Sequence, residues 1–234
     1  QITLPDNYVV AATGDLQNAS EADWLKNKQP FTRNLKAAKK AEQKKGAGMS
    51  EIPSSAKTKT LQYKQNNVHD FAWFADKTFS VKTDTLQLPS GKIITANAFY
   101  YSENKENWTN SITMIKRAIL TKSKWLGEYP YNVVSVVDGG NGGGMEYPTI
   151  TLLDDGGSEK SLDFVIYHEV GHNWFEAILG TNERLHPWMD EGMNTYYDNR
   201  YSMQQYGNTN IEIGRTKSAF INNRLPDDIQ HIVL

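Results

Sequence analysis

Apolar and polar positions change rhythm several times along this chain, and each change marks an element. Tyr8-Val9-Val10-Ala11-Ala12 reads as a strand and Thr13-Gly14-Asp15 as the turn that closes it, as at the end of a β structure whose start lies upstream. From Lys26 to Lys64 large apolar residues become scarce, while Lys39-Lys40 and Lys44-Lys45 cluster among Ala, Gln, Ser and Gly. Lacking interleaved aromatics, these lysines read as a solvated linker rather than a basic binding patch. Beyond Tyr63 four segments suit strands: Phe71 to Ala75, Phe79 to Thr83, Lys92 to Ala96 and Val133 to Val137. Between the last two, Ile112, Ile115, Ala118, Ile119 and Trp125 recur at helical spacing, which predicts an amphipathic helix from about Trp108 to Leu126. A second helix is expected from near Ser161 to Leu179. A third is expected from Pro187, a residue suited to a helix start, to near Gln205. The order is mixed α and β, without internal repeats.

Composition narrows the function more than the fold. The 234 residues, 38% of them hydrophobic, can build an ordinary core. Twenty-five basic against 27 acidic residues leave a net charge of -2, which argues for neither nucleic acid nor an anionic membrane as partner. No run approaches the ~18 apolar residues of a membrane span, so no membrane insertion is expected. Gln1-Ile2-Thr3-Leu4 does not resemble a signal peptide, and without an initiator Met the chain reads as a fragment. With no cysteine, any metal must be held by His and carboxylates.

Such a set is present. His168 and His172 lie four apart in the second predicted helix, within His168-Glu169-Val170-Gly171-His172. At ~100° per residue they share one face a turn apart, so both imidazoles can reach one ion. Glu169 lies off that row, placed to reach a water rather than the metal, and reads as the general base. A catalytic zinc needs three protein ligands, so a third is expected downstream. The metzincin spacing fails, with Ile178 where its third His would fall and Phe175 in place of its Gly. Another candidate fits: after eighteen intervening residues comes Glu191, in Trp188-Met189-Asp190-Glu191-Gly192, early on the third predicted helix. Zn2+ is the expected cofactor, held by His168, His172 and Glu191.

These residues resemble the gluzincin metallopeptidases, specifically the aminopeptidase N-like family that includes leukotriene hydrolase. Trp188 to Gly192 matches its Trp-x-x-Glu-Gly, and His172-Asn173-Trp174-Phe175 the aromatic continuation of its zinc helix. Gly143-Gly144-Met145-Glu146 matches its Gly-x-Met-Glu motif, and Asn67-Val68-His69-Asp70-Phe71-Ala72-Trp73 the opening of its catalytic domain. The likeness covers about residues 1–20 and 61–210. It implies an α+β fold: a thermolysin-like catalytic lobe with a mixed sheet and a zinc-binding helix pair, preceded by remnant strands of a β domain. Residues 1–64 would be the end of that domain plus the linker, and 65–234 an incomplete peptidase domain. The resemblance further implies a peptide substrate, an edge strand at Gly143, Gly144, Met145 and Glu146 lying along it, and Glu146 gripping its free α-amino group. It also implies an oxyanion-stabilising Tyr beyond Leu234, in a missing C-terminal part of the same parent protein, so that this fragment is expected to bind zinc but turn over poorly, and an extracytoplasmic location.

Tyr147 departs from the family, where Asn is common, and would either narrow the first substrate pocket or replace an amide hydrogen bond. An endopeptidase or dipeptide-releasing enzyme with the same zinc, or a silent zinc-binding module, are the rival readings. Tyr196, Tyr197, Tyr201 and Tyr206 read as packing residues, and Asp190 and Thr195 as candidate partners of a ligating His. His69, His186 and His231 lack ligand spacing, and Asp154-Asp155-Gly156-Gly157 reads as a turn rather than a calcium loop.

Overall fold

The computed structural model describes residues 1–31, 52–139, 144–154 and 157–207. Gly143, the Lys39-Lys40 and Lys44-Lys45 pairs, and His231 lie outside the described residues.

Six short strands at the start pair antiparallel in three couples. They are β1 (Ile2–Pro5) with β4 (Thr58–Leu61), β2 (Val9–Ala12) with β6 (Trp73–Asp76), and β3 (Asp15–Leu16) with β5 (Tyr63–Lys64). Helix α1 (Ala19–Asn27) lies between β3 and β4 in sequence. Strands β4 and β5 therefore correct the expectation of a linker running to Lys64. Within Thr58-Lys59-Thr60-Leu61 the period of two survives: Leu61 is buried, and the Lys59 ammonium pairs with Glu21 at 2.6 Å and sits 4.2 Å from the centroid of the Trp24 ring. A lysine that counts as solvated in a composition is here a strand residue with an ion partner.

The main sheet has five strands in the order β10-β11-β9-β8-β7. Antiparallel β7 (Ser80–Gln87) and β8 (Ile93–Tyr100) lead to two parallel pairings, β8 with β9 (Val133–Asp138) and β9 with β11 (Ile150–Leu153). The antiparallel edge strand β10 (Gly144–Tyr147) completes it. Every residue of β9 is buried, as its unbroken Val-rich run requires of a central strand. Alternation then sorts the two faces. Ile94, Ala96, Ala98, Tyr100, Val134 and Val136 face a large core shared with the helices, while Val81, Phe99 and Val137 face β2, Phe74 and Phe79. The architecture is α+β, a mixed sheet with the later helices on one face and the small starting strands, together with α1, packed on the other.

Short α2 (Lys105–Trp108) precedes α3 (Ser111–Leu126), which crosses over between β8 and β9 and buries Met114, Ile115, Ala118 and Ile119. Helix α4 (Glu159–His172) is N-capped by Ser158, whose hydroxyl accepts from the Ser161 N–H at 3.1 Å. The predicted continuation to Leu179 takes another form. After His172 the chain widens into π-type turns over Asn173–Ile178. There the Asn173 amide donates to the Val170 carbonyl at 3.1 Å, and its oxygen accepts from the Thr149 N–H at 2.9 Å. A side chain that competes for helical carbonyls loosens the ladder. That same side chain ties the end of α4 to the β10–β11 hairpin. A second π-type turn, Trp188–Gly192, runs into α5 (Met193–Tyr206), which ends at Gly207 in the left-handed region. No helix among the described residues is long and apolar enough to cross a membrane.

Candidate metal centre

Spacing on α4 and the π-type turn that leads into α5 bring three ligand atoms together. His168 Nε2 and His172 Nε2 are 3.3 Å apart, and Glu191 Oε2 lies 3.4 Å from the first and 3.8 Å from the second. A tetrahedron with ligand distances near 2.1 Å has an edge of about 3.4 Å, so the triangle fits the face of a four-coordinate zinc site. Behind each ring stands a carboxylate. His168 Nδ1 donates to Asp198 Oδ2 at 2.6 Å, and His172 Nδ1 donates to the buried Asp190. Each bond fixes the tautomer that leaves the Nε2 lone pair free for a metal. The donor set, two imidazole nitrogens and one carboxylate oxygen, is that of a catalytic rather than a structural zinc site.

Charges in the cluster follow from burial and from these partners. Burial disfavours the His168 imidazolium, but hydrogen bonds to Asp198 and Glu191 outweigh it and push the pKa up to about 11. Glu191 is drawn below the ordinary carboxylate range, first by its hydrogen bond with His168. A metal must displace the proton at Nε2, so uptake releases protons. Burial pushes Glu169 up to about 7, against the pull of His168 and His172. Its Oε2 is buried without a hydrogen-bond partner among the described residues. Glu169 thus stands beside the triangle with an unspent oxygen, outside the ligand set.

Across from Glu169 lies β10. A Cβ on Gly144 would fall 1.7 Å from Glu169 Oε1, so only glycine lets the edge strand come this close to α4. Alternation puts Glu146 on the same face as Gly144, and Glu146, Glu169 and His172 each offer an atom within 4.8 Å of the others. Burial raises the Glu146 pKa, with His172 opposing. Met145 is exposed on the strand. Tyr147 falls on the opposite face, its ring centroid 6.2 Å from that of Phe74 in the smaller core. Its ring packs on the smaller core.

Some members of the cluster escape a reading by motif. Asn194 and Asp198 follow Glu191 by three and seven residues, a single helical row whose signal was available; Asp198, not Thr195, meets His168. Glu183 joins Glu146 and Asp190 within 4.8 Å from a loop that carries no periodicity. Lys122 on α3 is fully buried, although lysine on an amphipathic helix normally marks the wet face. Its place four residues after Ala118 and seven after Ile115 is the clue, since that is the apolar row. Three of the four tyrosines of α5 pack as expected, Tyr206 by donating to Asp163, whereas Tyr196 corrects the expectation by facing solvent. Tyr201 stacks on Tyr167 at 3.8 Å and donates to Asp163, Tyr197 stacks on Phe175, and Tyr196 is exposed. His69 pairs with Glu176 at 2.5 Å, tying the segment before β6 to the end of the zinc-helix extension.

This fold and this ligand set define a thermolysin-like lobe with a site suited to zinc. Neither protein-family models nor curated proteins match the chain. Solved structures do. An M1 zinc metallopeptidase from Deinococcus radiodurans superposes with a TM-score of 0.56 at 18% identity, over 88% of this chain and 40% of that one. The same figures hold for a mutant from that organism bound to a Tyr-Ser-Ala substrate. A two-domain M1 zinc metallopeptidase mutant bound to L-arginine gives a TM-score of 0.57 at 16% identity, over 93% of this chain and 43% of that one. The chain has the fold of the M1 zinc metallopeptidases and spans about 40% of the length of these neighbours.

Proposed function

We propose that this chain carries the metal centre of a zinc-dependent peptidase that hydrolyses N-terminal residues of peptides, with His168, His172 and Glu191 as ligands. The observation that carries the reading is the convergence of three ligand atoms at 3.3–3.8 Å beside a buried carboxylate, Glu169, that has an oxygen to spare. Zinc bound there supplies Lewis acidity, which polarises a carbonyl and makes water a better acid. Glu169, whose Oε2 has no hydrogen-bond partner among the described residues, accepts the proton of the attacking water and later delivers it to the leaving amine. The edge strand β10 offers its free backbone to an extended peptide, and Met145 contributes main chain there. Glu146, one pleat from Gly144, meets the substrate's α-ammonium and stops the cleft to longer chains.

The first test is metal analysis of the purified chain, with Glu191→Ala as control. One zinc per chain is expected in the unmutated protein, and loss of that stoichiometry in the variant. Zinc absent from the unmutated, unchelated protein, or unaffected by the substitution, removes the site as drawn.

The exopeptidase part has its own test, comparison of free and N-acetylated peptides on the full-length parent protein. The neighbours' ligands, Tyr-Ser-Ala and L-arginine, carry free α-amino groups, which favours this reading over an endopeptidase. Acetylation is expected to depress kcat/KM at least tenfold, in line with the loss of a charge-assisted bond of about 1.5–3 kcal/mol. Glu146→Gln is expected to shrink that preference by raising KM for the free peptide. Equal cleavage of the two peptides sinks the aminopeptidase reading and leaves the zinc site standing.

A further inference from the structure

We infer that Lys122 is a positioning residue of the metal centre, holding His168 from two sides through Asp198 and Asn194. The inference rests on the metal site proposed above. Lys122 is 0% exposed, on the apolar row of α3, and its Nζ donates to Asn194 Oδ1 at 2.6 Å. Asn194 Nδ2 in turn donates to the backbone oxygen of His168 at 2.8 Å. The second arm is ionic: Nζ lies 3.7 Å from Asp198 Oδ1, and Asp198 Oδ2 accepts from His168 Nδ1 at 2.6 Å. One ammonium therefore fixes both the backbone and the ring of the same ligand.

The surroundings are built for this cation. Asp198 is 1% exposed, and a carboxylate that far from water is costly without a positive partner. Nζ also sits 4.2 Å from the centroid of the Tyr167 ring, whose face attracts it. Burial lowers the Lys122 pKa to about 8, with Asp198 opposing. Gly171 leaves the room: a Cβ there would lie 2.1 Å from Lys122 Nζ. A lysine placed only to fill core would not need a glycine in the zinc helix opposite its charged end.

The test uses the present chain, with zinc affinity read by competition against a chromophoric chelator and site geometry by the visible spectrum of the cobalt form. Lys122→Met keeps the volume and removes the charge. It is expected to weaken zinc binding 10–100-fold, the usual cost of losing a partner behind a ligand, and to shift the cobalt bands while far-ultraviolet circular dichroism is unchanged. Asp198→Asn should do the same, and the double variant should lose less than the product of the single effects, since both act on one ring. Zinc affinity within twofold of wild type and an unshifted cobalt spectrum in Lys122→Met overturn the inference alone, as do single effects that multiply. If Lys122→Met does not fold, Lys122→Gln, which removes the charge and keeps a polar end at the buried site, decides by the same readouts: a tenfold or greater weakening of zinc binding with shifted cobalt bands supports the inference, and wild-type affinity overturns it. Absence of zinc binding in the wild type overturns the metal centre and this inference with it.

Discussion

Glu169→Gln is expected to cut peptide hydrolysis by the zinc-loaded protein about 10²–10⁴-fold while leaving zinc affinity within a few-fold of wild type. The two halves of that result have separate physical causes. Glutamine has the size and shape of the carboxylate it replaces, so it can lie under Gly144, where any bulkier contact would collide with the edge strand. It cannot accept the proton of an attacking water. Zinc affinity holds because the ligand triangle is made by His168, His172 and Glu191, and Glu169 lies outside it. Burial already disfavours the Glu169 carboxylate, by more than the attraction of His168 and His172 offsets, so the neutral variant should be no less stable than wild type. Turnover and metal content measured on the same preparations separate the outcomes. A variant that keeps more than a tenth of the activity shows that the proton goes elsewhere. One that loses its zinc shows that Glu169 belongs to the ligand set.

How much of this could be read without coordinates depends on the range of the interaction. The pairing of His168 with His172 is local, set by helical geometry alone, and Glu191 is legible because the ligand chemistry demands a third group on a neighbouring helix. Strand β9 and helix α3 declare themselves by a continuous apolar run and a 3.6-residue stripe. Strands β4 and β5 do not, because their pairing partners, β1 and β3, lie some forty or more residues away and their lysines mimic a linker. The widened turn after His172 is equally silent. It follows from Asn173 bonding Thr149 across the hairpin, a contact between segments that share no pattern. Tyr147 teaches the same lesson at shorter range. A departure next to a motif residue invites a functional reading, but one step along a strand reverses the face, and its ring packs by Phe74 instead. Lys122 lies between these cases. Its position on an apolar stripe was a visible conflict between residue type and pattern, and such conflicts concentrate where a site has been built.

Gly171→Ala is expected to destabilise the metal-free protein by about 3 kcal/mol or more and to weaken zinc binding at least tenfold. Inside a helix the same change ordinarily stabilises, by up to about 1 kcal/mol, so even the sign is diagnostic. The added methyl carbon would lie 2.0 Å from Asn194 Oδ1 and 2.1 Å from Lys122 Nζ, less than any pair of atoms tolerates. Both contacts end flexible side chains, which would make the clash cheap at a surface. Here Asn194 and Lys122 are each 0% exposed and bonded to one another at 2.6 Å, so neither end can retreat without breaking that bond. Overpacking of this kind costs about 1–3 kcal/mol, and separating a buried cation from its partners adds to it. The zinc effect follows from the same displacement, because Asn194 holds the His168 carbonyl and Asp198 its ring. Denaturant unfolding of the metal-free protein and zinc titration of the folded variant give the two numbers. Alanine at 171 with unchanged or raised stability would mean that Lys122 and Asn194 do not meet across this glycine. Position 171 would then be free to vary, and Lys122 would have no grip on His168 through Asn194.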